Sequence, residues 1–324
     1  MKAAVIVVVV IVIAIAAGAG GFIFLNPSAP SGPSGNQPPG TLPQLPSEVG
    51  LSFTADSGIR VSGGSVPCIV QLPSGAYMLY YVSSDGIYSA SSADGRSFTA
   101  GTKRISKGSA GQSDSDSVSS PVLVQFGDNS FKLFYEGVSG SSRVLMSATS
   151  TDGENFTKES GVRYSGGPTD GGIVSAFDIS RENDNFLRLY YVADWNGKNN
   201  VRAATSSDGG NTWTFEKGNI CGDDSAGGGP NAYVDPDIVK LPGGGYKLYT
   251  KKGADKIYSF SSSNGVDFTI DSGIRIQASQ FSGGVTDLLD PDTIIFPDNS
   301  MRVFFGAMGG TPLSPIGIVS ATSS

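Results

Sequence analysis

Residues 206–213 read SSDGGNTW, a turn of small hydroxylated residues and an Asp-Gly pair that ends in an aromatic side chain. The same kind of turn stands at three other places, and its terminal aromatics recur every 55–58 residues. A fixed period of about this length, built from short strands and glycine turns, is typical of a β-propeller. The other copies read SADGRSF at 92–98, STDGENF at 150–156 and SSNGVDF at 262–268.

The repeat is incomplete at both ends. Residues 53–60 read FTADSGIR, stand before the first repeat, and differ at one position of eight from residues 268–275, FTIDSGIR. The sequence stops at Ser324, where a fifth Asp-Gly turn would begin. A leading fourth strand therefore complements a last blade that lacks one, and their pairing would remove two open sheet edges. We predict an all-β fold, a five-bladed β-propeller closed by the N-terminal strand completing the C-terminal blade.

Each repeat also carries an inner strand and an aromatic second strand, separated by a turn rich in Gly, Pro, Asp or Asn. Alternating apolar and polar residues between such turns are typical of hairpins. Four inner strands open with proline, and the third departs with SAFD at 175–178. The openings read VPCI at 66–69, SPVL at 120–123, DPDI at 235–238 and DPDT at 290–293; the second strands read YMLYY at 77–81, FKLFY at 131–135, LRLYY at 187–191, YKLY at 246–249 and MRVFF at 301–305.

Charge and histidine content exclude several classes of function. The net charge is −7, and the sequence has no basic run, which argues against a nucleic-acid partner. Histidine is absent, so Ser-His and Cys-His nucleophiles and imidazole zinc sites are excluded. Any catalysis must therefore depend on carboxylates, Tyr, Lys or Arg.

The first fifty residues predict export. Residues 3–25 carry no charge and are long enough to span a bilayer as one hydrophobic helix, and no Lys or Arg lies between Lys2 and Arg60, which predicts a single-pass anchor with the propeller outside the cell. A cleaved signal peptide and a secreted protein are the alternative. Residues 26–50 form a Pro/Ser/Gly-rich linker, and residues 51–324 form the propeller. Cys68 and Cys221 could form a disulfide or remain thiols.

Two inner strands open with paired acids, Asp235-Pro-Asp237 and Asp290-Pro-Asp292. Inner strands run parallel around the axis, so the residues that open them gather at one end of the channel, which we call the mouth. Asp235 and Asp290 open neighbouring blades and could face each other there. Glycosidic bond hydrolysis needs two carboxyls, about 5–5.5 Å apart for retention or 6.5–9.5 Å for inversion. We take Asp235 and Asp290 as candidate acid and base, with Glu136 as a third candidate.

Further residues near the mouth could contact a ligand. Asp194 and Trp195 follow the second strand of the third blade, and Trp195 could offer an apolar face to a sugar ring. Asp237, Asp292 and Asp287 complete the candidate substrate-binding set. Clustered carboxylates also suit Ca²⁺, although hydrolysis by carboxylates requires no cofactor. A structural alternative is that Asp before Pro caps a strand or turn.

The Asp-Pro-Asp-Ile-Val strand at 235–239, the hairpin PGGGYKLY at 242–249 and the repeated turns together resemble the five-bladed furanosidase superfamily of glycoside hydrolases. Its members include the arabinanase and xylosidase family and the invertase and levansucrase families. The resemblance implies catalytic acids at the openings of the first, third and fourth inner strands. Here those positions are Val66, Ser175 and Asp235, so the catalytic pattern is not retained. Residues 206–213 also resemble the Asp-box of sialidases, which have six blades.

The sequence therefore predicts a membrane-tethered, extracellular propeller that acts on a carbohydrate or cell-surface glycan by carboxylate acid/base chemistry. The alternative is a non-catalytic glycan-binding or surface-interaction module on a hydrolase scaffold.

Overall fold

The computed structural model describes residues 50–167, 170–195, 198–222, 232–310 and 313–323, without the side chains of 194–199. The predicted anchor and almost all of the predicted linker lie outside these residues. Within the described part of the chain, no helix has the length and apolar character needed to cross a membrane. The description below concerns the propeller.

In the described residues, twenty-two strands form five antiparallel sheets, one for each blade. Two short strands come first, β1 (Phe53–Ala55) and β2 (Val61–Ser62). Blade 1 comprises β3 (Ser65–Gln71), β4 (Tyr77–Ser83), β5 (Gly86–Ser92) and β6 (Thr102–Ser106); blade 2 comprises β7 (Ser117–Gln125), β8 (Phe131–Ser139), β9 (Ser142–Ser150) and β10 (Thr157–Lys158). Blade 3 comprises β11 (Ser175–Arg181), β12 (Leu187–Trp195), β13 (Lys198–Ser206) and β14 (Thr214–Lys217).

Blade 4 comprises β15 (Tyr233–Lys240), β16 (Tyr246–Lys252), β17 (Lys256–Ser262), β18 (Thr269–Ile270) and β19 (Ile276–Gln277), and a 3₁₀ turn (Ala278–Gln280) follows it. Blade 5 comprises β20 (Val285–Ile295), β21 (Met301–Gly309) and β22 (Ser314–Ser323). Strands β1 and β2 complete blade 5 by pairing with β22, in the register Phe53 to Ser323 for β1. The predicted blade count and the predicted closure are both confirmed.

The repeated turns lie where one blade packs against the next. In each case the terminal aromatic of a turn meets an aromatic of the preceding blade's second strand edge-to-face, with ring centroids 5.7–6.0 Å apart. Such pairs add about 0.5–1.5 kcal/mol beyond the apolar area that they bury. The Asp-Gly turns are therefore structural. The pairs are Tyr80 with Phe156, Phe134 with Trp213, Tyr190 with Phe268, Phe304 with Phe98 and Tyr249 with Phe53.

The fifth of these contacts is supplied by the start of the propeller. The Tyr190 hydroxyl donates to the carbonyl of Gly265 at 2.6 Å, and the Tyr249 hydroxyl donates to that of Gly50 at 3.0 Å. Gly50 and Gly265 also share the left-handed backbone, with φ of 71° and 72°, which glycine adopts without steric cost. Gly50 and Phe53 thus take the place of the turn that the last repeat lacks.

A charged pair links the second strand to the fourth-strand region in four of the five blades. In blade 5 the guanidinium of Arg302 lies 3.0 Å from Asp56, which follows the closing strand β1. Arg302 is 3% exposed, so its buried charge needs Asp56 as a counter-charge. The closing segment therefore contributes both an aromatic contact and a counter-charge. The other pairs are Lys132 with Glu159, Arg188 with Glu216 and Lys247 with Asp271.

Candidate functional site at the channel mouth

Every inner strand contains a β-bulge near its start, shown by a register shift against the second strand of its blade. At each bulge a residue other than glycine adopts a left-handed φ between 41° and 54°. This backbone is strained for L-amino acids, and strain of this kind often clusters at functional sites. The five residues are Val66, Ser120, Ala176, Asp235 and Asp290.

These bulges surround a narrow axial cavity of about 20 Å³, which all five blades line. A polar cavity of this size holds about one water molecule. The acids that line it are Asp235 and Asp290 at two of the bulges and, two residues beyond a bulge, Asp178 and Asp292. Val66, Ser120 and Ala176 occupy the other three bulges and carry no charge. The structure therefore brings the two predicted catalytic acids to one cavity, from neighbouring blades as expected.

Asp235 and Asp290 are in direct contact. The backbone N–H of Asp290 donates to Oδ2 of Asp235 at 3.3 Å, and none of the described residues donates a hydrogen bond to the carboxyl of Asp290. Burial raises the pKa of Asp235, while nearby Lys251 and the Asp290 N–H oppose that rise. Burial and the neighbouring Asp235 raise the pKa of Asp290 well above its usual range. The two carboxyls thus differ in their tendency to hold a proton.

An ion pair borders the two acids. Nζ of Lys251 lies 2.8 Å from Oδ1 of Asp287, with the two side chains 11% and 14% exposed. Lys251 is on β16 and pairs in register with Val234, the residue before Asp235. Asp287 is on β20, three residues before Asp290. The predicted role of Asp287 as a substrate ligand stays a prediction, whereas Lys251 lies in no recognisable sequence motif.

Glu136, the third candidate acid, is 2% exposed and lies between blades 2 and 3. Its Oε2 accepts hydrogen bonds from the hydroxyls of Ser120 at 3.1 Å and Ser175 at 3.0 Å, and its Oε1 accepts one from Arg143. Its charge acts on Asp290, so it belongs to the same acidic group. In this arrangement Glu136 is a buried, fully engaged carboxylate, and its catalytic role stays a prediction.

A second group of acids lies two residues further along the inner strands, at Asp178, Asp237 and Asp292. One carboxylate oxygen from each lies within 4.8 Å of the other two. Asp292 accepts the backbone N–H of Ile69 at 2.5 Å, and Asp178 accepts that of Ile238 at 2.8 Å. Each of these bonds joins one blade to the next.

Two more residues at this position also accept a hydrogen bond from the next blade, with different chemistry, and the fifth, Val122, is apolar. Asp237 accepts the hydroxyl of Thr293 at 2.6 Å, again from the next blade. In blade 1 the equivalent residue is Cys68, whose sulfur accepts the N–H of Leu123 at 3.4 Å. The acids at this level thus have a structural role as blade-to-blade acceptors. Their predicted binding of substrate stays a prediction.

The spacing of the Asp178, Asp237 and Asp292 oxygens could also accommodate a hard cation such as Ca²⁺. Burial raises the pKa of all three, to about 6 for Asp178, so ionising the group is costly without a counter-charge. The sequence marked Asp237 and Asp292 through their Asp-Pro-Asp motifs. It did not single out Asp178 because the third inner strand lacks proline, although the residue stands at the equivalent position.

Asp194 and Trp195 occupy the end of β12, where they pair with Asn199 and Lys198. Their side chains lie outside the described part of the structure, so their predicted contact with a ligand stays a prediction.

Both cysteines are buried in separate hydrophobic clusters, Cys68 between blades 1 and 2 and Cys221 between blades 3 and 4. We expect Ellman titration without reductant to detect no reactive thiol in the native protein and two in denaturant. Burial raises the pKa of Cys68 and so suppresses its reactive thiolate. The variant Cys221→Ser should give one thiol on denaturation. Absence of any thiol in denatured wild-type protein would instead indicate a disulfide.

Comparison with known proteins agrees with the fold. No protein-family model matches the sequence, and no curated protein matches it. Among solved structures, a thermostable family-43 glycoside hydrolase matches with a TM-score of 0.62 and 15% identity, over 83% of this chain and 91% of the other. A family 117 glycoside hydrolase from Zobellia galactanivorans matches with 0.61 and 16%, over 85% and 91%. An endo-arabinase from Bacteroides thetaiotaomicron matches with 0.62 and 13%, over 83% and 96%.

The fold therefore defines the class: an all-β, five-bladed propeller of the kind found in glycoside hydrolases. The predicted resemblance is confirmed at the level of architecture. With identities of 13–16%, these matches describe the fold, and the chemistry has to be argued from the site itself.

Proposed function

We propose that the protein hydrolyses glycosidic bonds of a carbohydrate at the channel mouth, with Asp290 as general acid and Asp235 as general base. The observation that carries this proposal is the convergence of these two carboxyls on one cavity, in environments that separate their affinities for a proton. Separation of this kind is how two chemically identical acids acquire different roles. The likeness to glycoside hydrolase structures supports the same class of reaction.

In the proposed mechanism, Asp290 donates its proton to the glycosidic oxygen as the bond to the anomeric carbon breaks. Asp235 accepts a proton from a water molecule, whose oxygen forms the new bond to that carbon. The cavity of about 20 Å³ suits one such water. Room for a water between base and sugar is what an inverting hydrolase requires. The products are a free sugar hydroxyl and a hemiacetal, with both protons accounted for.

A second candidate function is glycan binding without hydrolysis. The observation that favours it is the narrowness of the cavity, since about 20 Å³ cannot hold a sugar ring. Glu136 also accepts hydrogen bonds from Ser120 and Ser175, which would have to break before its carboxyl could contact a substrate. Under this function the glycan would rest on the mouth and the acids would only orient it.

We further propose that the uncharged segment at residues 3–25 anchors the protein in a membrane, with the propeller outside the cell. The linker at residues 26–50 would hold the propeller away from the bilayer. Secretion after cleavage of the segment is the alternative. Fractionation of producing cells, followed by protease treatment of intact cells, distinguishes these locations.

The test is a screen of the full-length protein against chromogenic glycosides and a glycan array. We expect Asp235→Asn and Asp290→Asn each to lower turnover by at least about 10²-fold, the usual contribution of general acid–base catalysis. The matched control is Asp298→Asn, because Asp298 is exposed in the β20–β21 turn and its oxygen that accepts from Ser300 is retained. Turnover that persists in both mouth variants would reject the site. Glycan binding without turnover, in the wild type and in all variants, would favour glycan binding without hydrolysis.

A further inference from the structure

A pocket of about 410 Å³, which we call the lower pocket, lies between blades 5 and 1 at the end of the propeller opposite the mouth. Its walls are the turn between β20 and β21 and the first Asp-Gly turn, after β5. Strand β20 runs away from the mouth and ends at Ile295, directly before the first of these turns. Small-molecule sites usually have volumes of about 300–1,000 Å³, so the lower pocket can hold a ligand for which the axial cavity of about 20 Å³ has no room.

Arg302 supplies the lower pocket with a buried cation that has one unengaged nitrogen. Its Nε lies 3.0 Å from Asp56 and donates to Oγ1 of Thr322 at 3.1 Å, and its Nη1 donates to the carbonyl of Gly95 at 3.0 Å. None of the described residues accepts a hydrogen bond from Nη2. Arg302 is one of the residues that line the pocket, so Nη2 is the nitrogen left to meet a molecule there.

The equivalent arginine of blade 3 has no such free nitrogen. Arg188 is the second residue of β12, as Arg302 is of β21. The carboxylate of Glu216 engages its Nε and Nη2, and the carbonyl of Asn264 accepts from its Nη1 at 3.4 Å. A charged donor that is more than nine-tenths buried is costly to leave without an acceptor. An oxygen atom of a ligand in the lower pocket would therefore complete the hydrogen bonding of Arg302.

Three further groups around the lower pocket suit a sugar. The ring of Phe296 is partly exposed and lies 5.4 Å from the Arg302 guanidinium, so it offers an apolar face. Arg96 is exposed, and its guanidinium forms no hydrogen bond or ion pair with the described residues. Oδ1 of Asp94 accepts backbone N–H groups of its own turn, whereas its Oδ2 accepts none from the described residues. The pocket thus presents donors, an acceptor and an apolar surface to the hydroxyls and C–H groups of a sugar ring.

The charges around the lower pocket favour a neutral ligand over an anion. In or beside it lie three guanidiniums and three carboxylates, those of Arg60, Arg96, Arg302, Asp56, Asp94 and Asp298. An anionic sugar would be attracted by one set and repelled by the other, whereas neutral hydroxyls can accept from the first and donate to the second. Oδ1 of Asp298 accepts the N–H and the hydroxyl of Ser300 within its own turn, so Asp298 is not counted among the ligand-binding groups.

We propose that the lower pocket is a carbohydrate-binding site for a neutral sugar residue, separate from the mouth. Nη2 of Arg302 and the guanidinium of Arg96 donate to hydroxyl oxygens of the sugar, and Asp94 accepts from a hydroxyl. The apolar face of the sugar packs against the ring of Phe296. A glycan held here is attached to one end of the propeller and leaves the mouth at the other end open. This inference goes beyond the proposed function and does not depend on hydrolysis at the mouth.

Two substitutions remove one donor each from the lower pocket. Arg302→Lys keeps a positive charge for Asp56 but lacks the nitrogen that meets the ligand. Arg96→Ala removes an exposed side chain that bonds no described residue, so the fold should be unaffected. We expect each to weaken binding of the sugar about tenfold or more, the effect of losing a hydrogen bond from a charged donor. The matched control is Arg181→Ala, because Arg181 is an exposed arginine at the same end of the propeller and pairs with Asp184 outside the pocket.

The experiment is isothermal titration calorimetry of the full-length protein with oligosaccharides of arabinose, xylose, glucose and galactose, and with oligogalacturonate as the anionic probe. Binding of a neutral oligosaccharide that weakens in Arg302→Lys and Arg96→Ala, but not in Arg181→Ala or Asp290→Asn, supports the inference. If Arg302→Lys does not fold, Arg96→Ala decides. No binding of a neutral oligosaccharide, tighter binding of oligogalacturonate, or binding that weakens in Asp290→Asn alone overturns it. Absence of hydrolysis in every protein rejects the proposed function and leaves this inference standing.

Discussion

Deletion of residues 50–62 is expected to abolish the cooperatively folded propeller. These residues pair with β22, pack Phe53 against Tyr249, and place Asp56 beside the buried guanidinium of Arg302. Their removal exposes a sheet edge, leaves a buried charge without its partner and opens the contact between blades 4 and 5. Circular dichroism melting and size exclusion of the purified protein would measure the loss. Recovery of a soluble monomer with a wild-type Tm would show that the ring does not depend on this closure.

Smaller changes to the same segment should give graded effects. Phe53→Ala removes a buried aromatic and should cost about 3–5 kcal/mol, which for a domain of this size lowers Tm by about 10 °C. Tyr249→Phe removes the hydrogen bond to the Gly50 carbonyl and the weaker contact with Met301 Sδ, and should cost about 1 kcal/mol. Ser52→Ala is the control, since Ser52 is exposed beside Phe53 and should leave Tm unchanged. Equal effects of Phe53→Ala and Ser52→Ala would contradict the assigned role of Phe53.

Stability is expected to peak in mild acid and to fall towards neutral pH. Five carboxyls of the channel have a raised pKa because burial penalises their charged form, including about 6 for Asp178. Between the unfolded and folded pKa values the native state binds more protons than the unfolded chain, so stability decreases as pH rises. For Asp178 alone the loss is on the order of 3 kcal/mol between about pH 4 and pH 7.

The aspartates of the repeated turns change stability with pH in the opposite direction. Backbone N–H groups of Ser97 and Arg96 lower the pKa of Asp94 to about 2, and hydrogen bonds from Thr212 lower that of Asp208 to about 2 against the effect of burial. A lowered folded pKa adds stability that is present above the unfolded value and is lost as pH falls towards 2. Together, the channel carboxyls and the turn aspartates place the pH of maximum stability between about 4 and 5.

Thermal melts at several pH values test this prediction. Asp292→Asn keeps an oxygen that can accept the N–H of Ile69 and removes one ionisable group, so it should reduce the fall in Tm between pH 5 and 8. Asp298→Asn should not, because that residue is exposed and its pKa is lowered rather than raised. A Tm that rises steadily to neutral pH would contradict the prediction. Added Ca²⁺ that raises Tm at pH 8 but not in Asp292→Asn would indicate a cation among these carboxyls.

Much of the fold could be predicted because each repeat carries its own turn and strand signals. The Asp-Gly turns, the proline openings and the aromatic second strands are local patterns with local physical causes. The leading FTADSGIR segment also revealed the closure, since it matches a fourth strand so closely. Such signals can be read from the sequence without knowledge of long-range contacts.

The site was harder to predict because its residues come from several blades. Asp235 and Asp290 were recognisable through matching motifs, and their contact followed from the order of the blades. Lys251 and Asp178 carry no motif and became significant only through neighbours on other strands. The engagement of Glu136 by Ser175 likewise joins two blades and has no trace in the local sequence.

The sequence by itself determined the number of blades, the strand that closes the ring and the two acids that open neighbouring inner strands, since these depend on periodicity and on residue type. Only the tertiary structure decided that the axial cavity has a volume of about 20 Å³, that Asp237 and Asp292 join one blade to the next, and that Lys251 forms an ion pair with Asp287. The reason is physical. Cavity size, burial and the charge felt by a carboxyl depend on side chains brought together from distant parts of the chain, and these set its affinity for a proton.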